Sequence, residues 1–119
     1  MWNAWRAAAR GIIVAWRTER HLKVHSVAAL AVVCLGLALK ISSVEWAILT
    51  LAMGLVLAAE YANSALERLA DRVSMERHPL IRDAKDFAAA SVLVAALAAA
   101  VVGLLLLGPK LWIYVLDNQ

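Results

Sequence analysis

A row of polar and acidic side chains runs through the segment EYANSALERLADR, residues 60–72. On a helix of 3.6 residues per turn, five of its residues fall within an arc of about 100°. They are Glu60, Asn63, Ser64, Glu67 and Asp71. Carboxylates in such a row can hold a hard cation or accept a proton from a hydroxyl group. The row is therefore the first candidate for a reactive site.

The row directly follows an apolar run, which raises the question of its solvent. The chain has 119 residues, 64% of them hydrophobic, and a mean hydropathy of +0.74. A small domain has too little interior to bury so much apolar surface, so lipid is the expected solvent. A carboxylate at the centre of a spanning helix costs about 2.5 to 3.5 kcal/mol on insertion scales. Glu60 is therefore either functional or hydrogen-bonded to a neighbouring helix, with Glu67 and Asp71 simply solvated in the second case.

Three apolar stretches predict membrane-spanning helices at residues 24–39, 46–66 and 87–107. A span needs about 20 residues at 1.5 Å each, so the second must include Glu60 and the first is short. The polar sequence KISSVE joins the first span to the second, and Pro79 separates the second from the third. The sequence thus predicts an all-α membrane protein with a single domain, residues 1–119.

The first 22 residues predict a further element, an amphipathic helix that lies in the membrane interface. Trp2, Trp5, Ile12 and Trp16 recur at helical spacing and form one apolar stripe, which arginines flank. A simple membrane anchor would explain the tryptophans and most of the arginines, but it does not explain Glu19.

The basic residues predict how the chain is oriented in the membrane. Five of the 12 Lys and Arg residues precede the first span, five lie between the second and third spans, and only Lys40 and Lys110 fall elsewhere. By the positive-inside rule, the N-terminus and the second loop are cytoplasmic and the C-terminus is outside.

Further charged residues are predicted on the same cytoplasmic face as Glu67. Glu19 follows the N-terminal helix, and Lys85 and Asp86 precede the third span. Mg²⁺ takes one or two carboxylates plus phosphate oxygens, and a lysine suits phosphate as a point charge. With Glu60 as proton acceptor, these groups predict phosphoryl transfer from a nucleotide to a membrane-embedded alcohol. Because the sequence has no Walker A motif or Gly-rich kinase loop, helix faces of more than one chain would have to form the nucleotide site.

The motif ExxNSALExxxDR at 60–72, with ExH at 76–78 and AKD at 84–86, resembles the signature of the small bacterial integral-membrane lipid kinases. These are the prokaryotic diacylglycerol kinases and the related undecaprenol kinases. The resemblance runs from about Gly11 to Leu107. It implies a homotrimer in the bacterial cell membrane, with active sites between neighbouring chains. It also implies ATP as co-substrate, Mg²⁺ as cofactor and a lipid alcohol as acceptor, with no nucleic-acid partner.

The resemblance implies roles for individual residues as well. Glu60 matches the catalytic base, and Glu19 and Glu67 match the pair that holds the Mg²⁺ of ATP. The residues that match the ATP-binding region are Glu19, Glu67, Glu76, Arg77, His78, Lys85 and Asp86. The residues that match substrate or supporting positions are Asn63, Asp71 and Ala89.

Two positions bear on which lipid is the acceptor. The diacylglycerol enzymes of Gram-negative bacteria typically carry a glutamate at the position of His25 and a serine at that of Ala89, and this chain is more similar to the undecaprenol kinases. The resemblance therefore favours conversion of undecaprenol to undecaprenyl phosphate, with a diacylglycerol kinase that makes phosphatidic acid as the alternative. Taken alone, His25 is predicted to be a helix-end residue outside catalysis. The residues also leave open a non-enzymatic, cation-conducting or regulatory membrane oligomer whose acids line a pore.

Overall fold

The computed structural model describes residues 2–73 and 78–119, and these residues form four α-helices. The helices are α1 (Trp2–Thr18), α2 (Arg20–Leu39), α3 (Ser43–Val73) and α4 (Pro79–Asp117). Within those two ranges no strand is present, which confirms the all-α class. Helices α2, α3 and α4 are each long and apolar enough to cross a membrane. The three predicted spans are confirmed in this sense.

The helices extend beyond the predicted segments, and α4 does so by the most. It continues past residue 107 and through Pro109 to Asp117, although the pair Gly108 and Pro109 is typical of a helix end. A proline inside a helix removes one backbone hydrogen bond and strains one turn. The apolar residues on both sides of Pro109 are compatible with a helix. The unfavourable proline therefore does not end α4.

One extended residue separates α1 from α2. Glu19 has dihedrals of φ −108° and ψ 108°, so α1 ends at Thr18 and not at the predicted residue 22. Leu22, in the first turn of α2, is 1% exposed and therefore buried close to this junction. Large apolar side chains of α1 are exposed, which leaves them free to contact lipid: Trp5, Ile12, Ile13 and Trp16. The position of α1 at the membrane surface stays a prediction.

The turn between α2 and α3, together with the part of α4 that faces it, forms the turn end of the bundle. Lys40 adopts the left-handed conformation (φ 51°), and the amides of Lys40 and Ile41 donate to the carbonyls of Leu37 and Gly36. This is the bonding pattern of a Schellman cap, which satisfies the last carbonyls of α2. Buried side chains at this end form the core of the bundle, with others packed around them. The buried ones are Ile41, Leu49 and Leu107.

A capping box begins α3. The Ser42 amide donates to Glu45 Oε1 at 3.1 Å, and the Glu45 amide donates to Ser42 Oγ at 3.2 Å. The ammonium of Lys110 on α4 lies 3.4 Å from the same Glu45 oxygen. From this cap, α3 runs without interruption through Glu60 to Val73. Among the described helices, α3 and α4 form the most extensive helix–helix contact. The acidic row of α3 is thereby held next to the first turns of α4.

Candidate active site

Glu60 is the buried charged residue of the described chain. It is 5% exposed, and its Oε1 atom lies 3.0 Å from Nε2 of His25 on α2. The His25 side chain is 29% exposed, so the buried carboxylate pairs with a side chain that reaches the surface. The packing of α2 on α3 brings the two residues together. His25 lies inside α2 and contacts Glu60, whereas the sequence predicts a residue at a helix end.

Asn63 lies one helical turn beyond Glu60 on α3. It is half-buried, and its Oδ1 atom is buried without a hydrogen-bond partner. Most buried polar atoms in proteins have a partner, so an unsatisfied carbonyl oxygen beside a buried carboxylate is unusual. This oxygen is available to a donor that the isolated chain does not supply.

Glu19 pairs with an arginine that the sequence analysis did not select. Arg68 Nη2 lies 3.1 Å from Glu19 Oε1 and donates to Thr18 Oγ1 at 2.8 Å. The Glu19 side chain makes no hydrogen bond that caps α2, so its carboxylate points to other partners. The break between α1 and α2 thus places the Glu19 carboxylate next to the guanidinium of Arg68 on α3.

Lys85 on α4 pairs with the far end of the acidic row. Its Nζ atom lies 2.6 Å from Asp71 Oδ1, and Lys85 precedes the predicted span 87–107. The hydrogen bond that Lys85 donates to Asp71 raises the pKa of Lys85 above its usual 10.5. Desolvation opposes this shift, and the charges of Asp71 and Glu67 add to it. Glu67 itself is exposed. Lys85 is therefore a firmly charged cation beside two carboxylates.

The remaining predicted residues are placed as follows. His78 caps α4, and its Nδ1 atom accepts a hydrogen bond from the Leu80 amide at 3.2 Å. Asp86 and Ala89 are exposed in the first turns of α4. Glu76 and Arg77 lie outside the described residues.

A groove of about 550 Å³ opens between α1 and α3, next to the Glu19–Arg68 pair. Gly11 and Ala15 line it from α1, and a Cβ added at Gly11 would meet nothing within 4 Å. From α3 the groove is lined by Tyr61, Ser64 and Arg68. The small residues leave space for a flat ligand, and the charged ones could contact phosphate. The acidic row therefore has an opening beside it.

A second groove, of about 250 Å³, is formed by α2, α3 and α4. Its described lining is apolar except for His25, and Ala28, Ala96 and Gly103 are among the small residues that form it. An apolar groove that ends at a polar group suits a molecule with a hydrocarbon chain and a single polar head.

Glu19 and Glu67 are the predicted carboxylate ligands of Mg²⁺. Among residues 2–73 and 78–119, no three His, Cys, Asp or Glu side chains come close enough to hold a metal ion by themselves. Mg²⁺ bound with a nucleotide needs only one or two carboxylates, because phosphates and waters complete its shell. Glu19 and Glu67 supply the hard oxygen atoms that this ion prefers, so the residues fit it as part of a metal–nucleotide complex.

Three helices long and apolar enough to cross a membrane indicate a membrane protein. The buried carboxylate, the unsatisfied amide oxygen and the paired charges make one end of these helices the candidate site. A profile of the family described as prokaryotic diacylglycerol kinase matches residues 6–107. The chain therefore belongs to the prokaryotic diacylglycerol kinase family, and it is a lipid kinase. The family predicted from the sequence motifs is confirmed.

Curated relatives agree with this assignment and differ in their lipid. The chain is 40% identical over 104 residues to an undecaprenol kinase of Bacillus subtilis, which covers 87% of this chain and 85% of the relative. It is 38% identical over 120 residues to a diacylglycerol kinase of Synechocystis, which covers 92% of this chain and 69% of the relative. It is 33% identical over 98 residues to a diacylglycerol kinase of Escherichia coli K12, which covers 82% of this chain and 80% of the relative. These names confirm a phosphotransferase with a hydroxyl acceptor and do not support a non-enzymatic oligomer.

Proposed function

We propose that the chain transfers the γ-phosphoryl group of ATP to the hydroxyl of a membrane-embedded lipid alcohol, with undecaprenol as the preferred acceptor. The observation that carries this proposal is the buried carboxylate of Glu60, paired with His25 at 3.0 Å within a helix that is apolar enough to span a membrane. An ionisable group at such a place is costly and is by default functional. A base for a lipid hydroxyl has to lie there, because the hydroxyl stays at the bilayer edge.

In the proposed reaction, Glu60 accepts the proton of the lipid hydroxyl while the hydroxyl oxygen attacks the γ-phosphorus of ATP. The new bond joins lipid oxygen and phosphorus, and the bond from phosphorus to the bridging oxygen breaks with its electron pair leaving on ADP. Glu60 and Glu67 lie about 10 Å apart along α3, which leaves room for the transferred group between them. Such transfers depend mainly on alignment and charge stabilisation.

The nucleotide is proposed to bind on the same end, in the groove between α1 and α3 and against the start of α4. Glu19 and Glu67 would hold the Mg²⁺ that, when bound, offsets charge on the phosphates. Arg68 and Lys85 are already charged and neighbour these acids, so incoming phosphates can exchange with Glu19 and Asp71 as their partners. Glu76, Arg77, His78 and Asp86 are proposed to complete the nucleotide site.

Three features of the whole protein belong to the same proposal. Helix α1 lies in the interface, since its exposed tryptophans suit the headgroup region. The N-terminus is cytoplasmic and the C-terminus outside, as the distribution of Lys and Arg predicts. Three chains form the working unit, and the alanine-rich face of α4 allows the close helix packing that this needs.

Two observations favour undecaprenol as the acceptor. The relative named undecaprenol kinase is 40% identical to this chain, which is above the 33% of the Escherichia coli diacylglycerol kinase. The apolar groove that ends at His25 has a volume of only about 250 Å³, which suits one hydrocarbon chain better than two. A diacylglycerol kinase is the second candidate, supported by the Synechocystis relative at 38%.

A single assay tests the proposal. Purified protein in mixed micelles receives γ-labelled ATP, Mg²⁺ and, in separate reactions, undecaprenol, diacylglycerol or ceramide. We expect labelled undecaprenyl phosphate to form fastest, and no labelled lipid to form without Mg²⁺. Faster labelling of diacylglycerol would assign the second candidate, and no labelled lipid at all would reject the proposed function.

A further inference from the structure

We infer that His25 is a positioning residue for the reaction, which holds the Glu60 carboxylate through Oε1 so that Oε2 accepts the proton of the lipid hydroxyl. This inference rests on the proposed role of Glu60 as base. The supporting observation is a contact between two helices, 3.0 Å from His25 Nε2 to Glu60 Oε1. The two residues are 35 positions apart in the sequence, and only the packing of α2 on α3 brings them together.

The direction of this hydrogen bond follows from the chemistry. A carboxylate that acts as a base is ionised, and an ionised carboxylate can only accept hydrogen bonds. Nε2 of His25 must therefore carry the hydrogen and donate it. Such a bond fixes the rotation of the Glu60 side chain and stabilises its negative form where water is scarce.

The exposure of the two side chains fits this arrangement. Glu60 is 6% exposed at its side chain and cannot rely on water to hold it, whereas His25 is 29% exposed. His25 is also the polar member of the described lining of the apolar groove. His25 contacts Glu60 on one side and lines the proposed path of the hydrocarbon chain on the other. A lipid bound in this groove would therefore have its hydroxyl beside Glu60.

A purely structural role would leave a different signature. If the pair only fastened α2 to α3, its loss would lower stability and substrate affinity and leave the turnover of correctly folded protein unchanged. If His25 orients the base, its loss lowers kcat while the KM for ATP stays the same. A hydrogen bond to a charged group has a net effect that corresponds to about tenfold to a hundredfold in rate.

The test uses three substitutions of His25 in the purified full-length chain, with kcat and the KM for ATP measured in the lipid phosphorylation assay. His25→Gln retains an N–H at nearly the position of Nε2, His25→Asn carries one that is too short to reach, and His25→Leu carries none. We expect kcat to fall by about tenfold to a hundredfold for His25→Leu and His25→Asn, with an unchanged KM for ATP. His25→Gln should restore kcat to within about threefold of the wild-type protein.

His21→Leu is the matched control, since His21 is an exposed histidine one turn earlier on the same helix. It should leave kcat unchanged. The polar variant His25→Asn keeps the comparison informative where His25→Leu does not fold. Wild-type kcat in His25→Asn, equal losses in His25→Gln and His25→Asn, or a loss confined to KM would each overturn the inference while leaving the lipid kinase activity in place. A wild-type protein without lipid kinase activity would instead reject the proposed function itself.

Discussion

The polar groups at the two ends of the helix bundle find their partners in different ways: locally at one end, and on other helices at the other. At the turn end, Ser42 and Glu45 satisfy one another across three residues, and Lys110 adds one ion pair. At the acidic end, defined by Glu19, the α3 row from Glu60 to Asp71 and Lys85, the contacts join different helices. The paired residues are 14 to 50 positions apart in the sequence.

This difference separates groups that support the fold from groups available for chemistry. The turn end is packed, with Leu49 2% exposed and Leu107 5% exposed, and its polar atoms complete a local cap. The acidic end borders two grooves and retains a buried, unsatisfied amide oxygen on Asn63. Natural proteins rarely leave such groups where stability is the only requirement. Substitutions at the two ends should therefore affect different measurements.

The largest effect is expected from Glu60→Gln, which removes the proposed base and preserves the size of the side chain. General-base catalysis contributes about a hundredfold to ten-thousandfold, so kcat for lipid phosphorylation should fall by that factor. Binding of ATP, measured by equilibrium titration, should be unchanged because the nucleotide contacts lie further along α3.

The control for Glu60→Gln is the same substitution at the other end of the helix. Glu45→Gln retains an oxygen for the Ser42 amide and should leave kcat unchanged. Equal losses from the two substitutions would mean that the ends do not differ in function, and wild-type turnover in Glu60→Gln would exclude Glu60 as the base.

Glu67→Gln should affect nucleotide binding more than the chemical step. The substitution removes one of the two proposed carboxylate ligands of Mg²⁺, so the KM for ATP should rise by about tenfold while kcat changes little. The measurement is a series of ATP titrations at several Mg²⁺ concentrations. A loss in kcat without a change in KM would contradict the proposed role, and Glu45→Gln again serves as the control.

At the turn end, Gly36→Ala should lower stability and leave the chemistry intact. A Cβ at Gly36 would lie 2.8 Å from Trp46 Cη2 and 3.1 Å from Ile41 Cδ1, so the indole ring would have to move. Overpacking of this kind costs about 1 to 3 kcal/mol, more than the gain of up to about 1 kcal/mol from replacing glycine in a helix. Unfolding in detergent should show a net loss of about 1 to 2 kcal/mol.

Gly54→Ala is the matched control for this prediction. A Cβ at Gly54 would meet nothing within 4 Å in the chain, so stability should be unchanged or slightly higher. Destabilisation by Gly54→Ala and not by Gly36→Ala would reverse the expected order and show that the turn end is not the packed one.

The sequence predicts features that depend on neighbours along the chain. The three apolar helices follow from hydropathy alone, and the acidic row follows from helical periodicity within α3. The family follows from motif spacing. The capping box of Ser42 and Glu45 could also have been predicted, because its S-x-x-E pattern is local.

Contacts between helices could not be predicted in the same way. The pair of His25 and Glu60 depends on how α2 is rotated against α3, and periodicity within one helix carries no information on that rotation. Arg68 lies off the acidic row of its own helix and meets Glu19 only because α1 and α2 separate at that residue. Helix α4 also continues through Pro109, although a proline inside a helix removes one backbone hydrogen bond.

Removal of the cap at the turn end should have a smaller effect than Gly36→Ala. Ser42→Ala removes the oxygen that accepts from the Glu45 amide, and an exposed cap of this kind is worth about 1 kcal/mol or less. The free energy of unfolding in detergent measures the loss. Ser43→Ala, at the next residue, should have no comparable effect, and an equal loss there would show that the capping box is not the cause.

The smallest expected effect is a difference in pH dependence between the two ends. Glu45 precedes the predicted span 46–66, and its hydrogen bonds from the Ser42 backbone and side chain lower its pKa below the usual 4.5. Because the folded pKa is depressed, Glu45 adds stability above pH 4.5 that is lost as the pH falls through the lowered value. The raised pKa of Lys85 works in the opposite direction, since its contribution is present below pH 10.5 and is lost as the pH rises through the raised value. Unfolding measured across pH should therefore show that Glu45→Gln weakens the acid-side loss and that Lys85→Met weakens the alkaline-side loss. A pH profile that responds to the two substitutions in the same range would contradict this assignment.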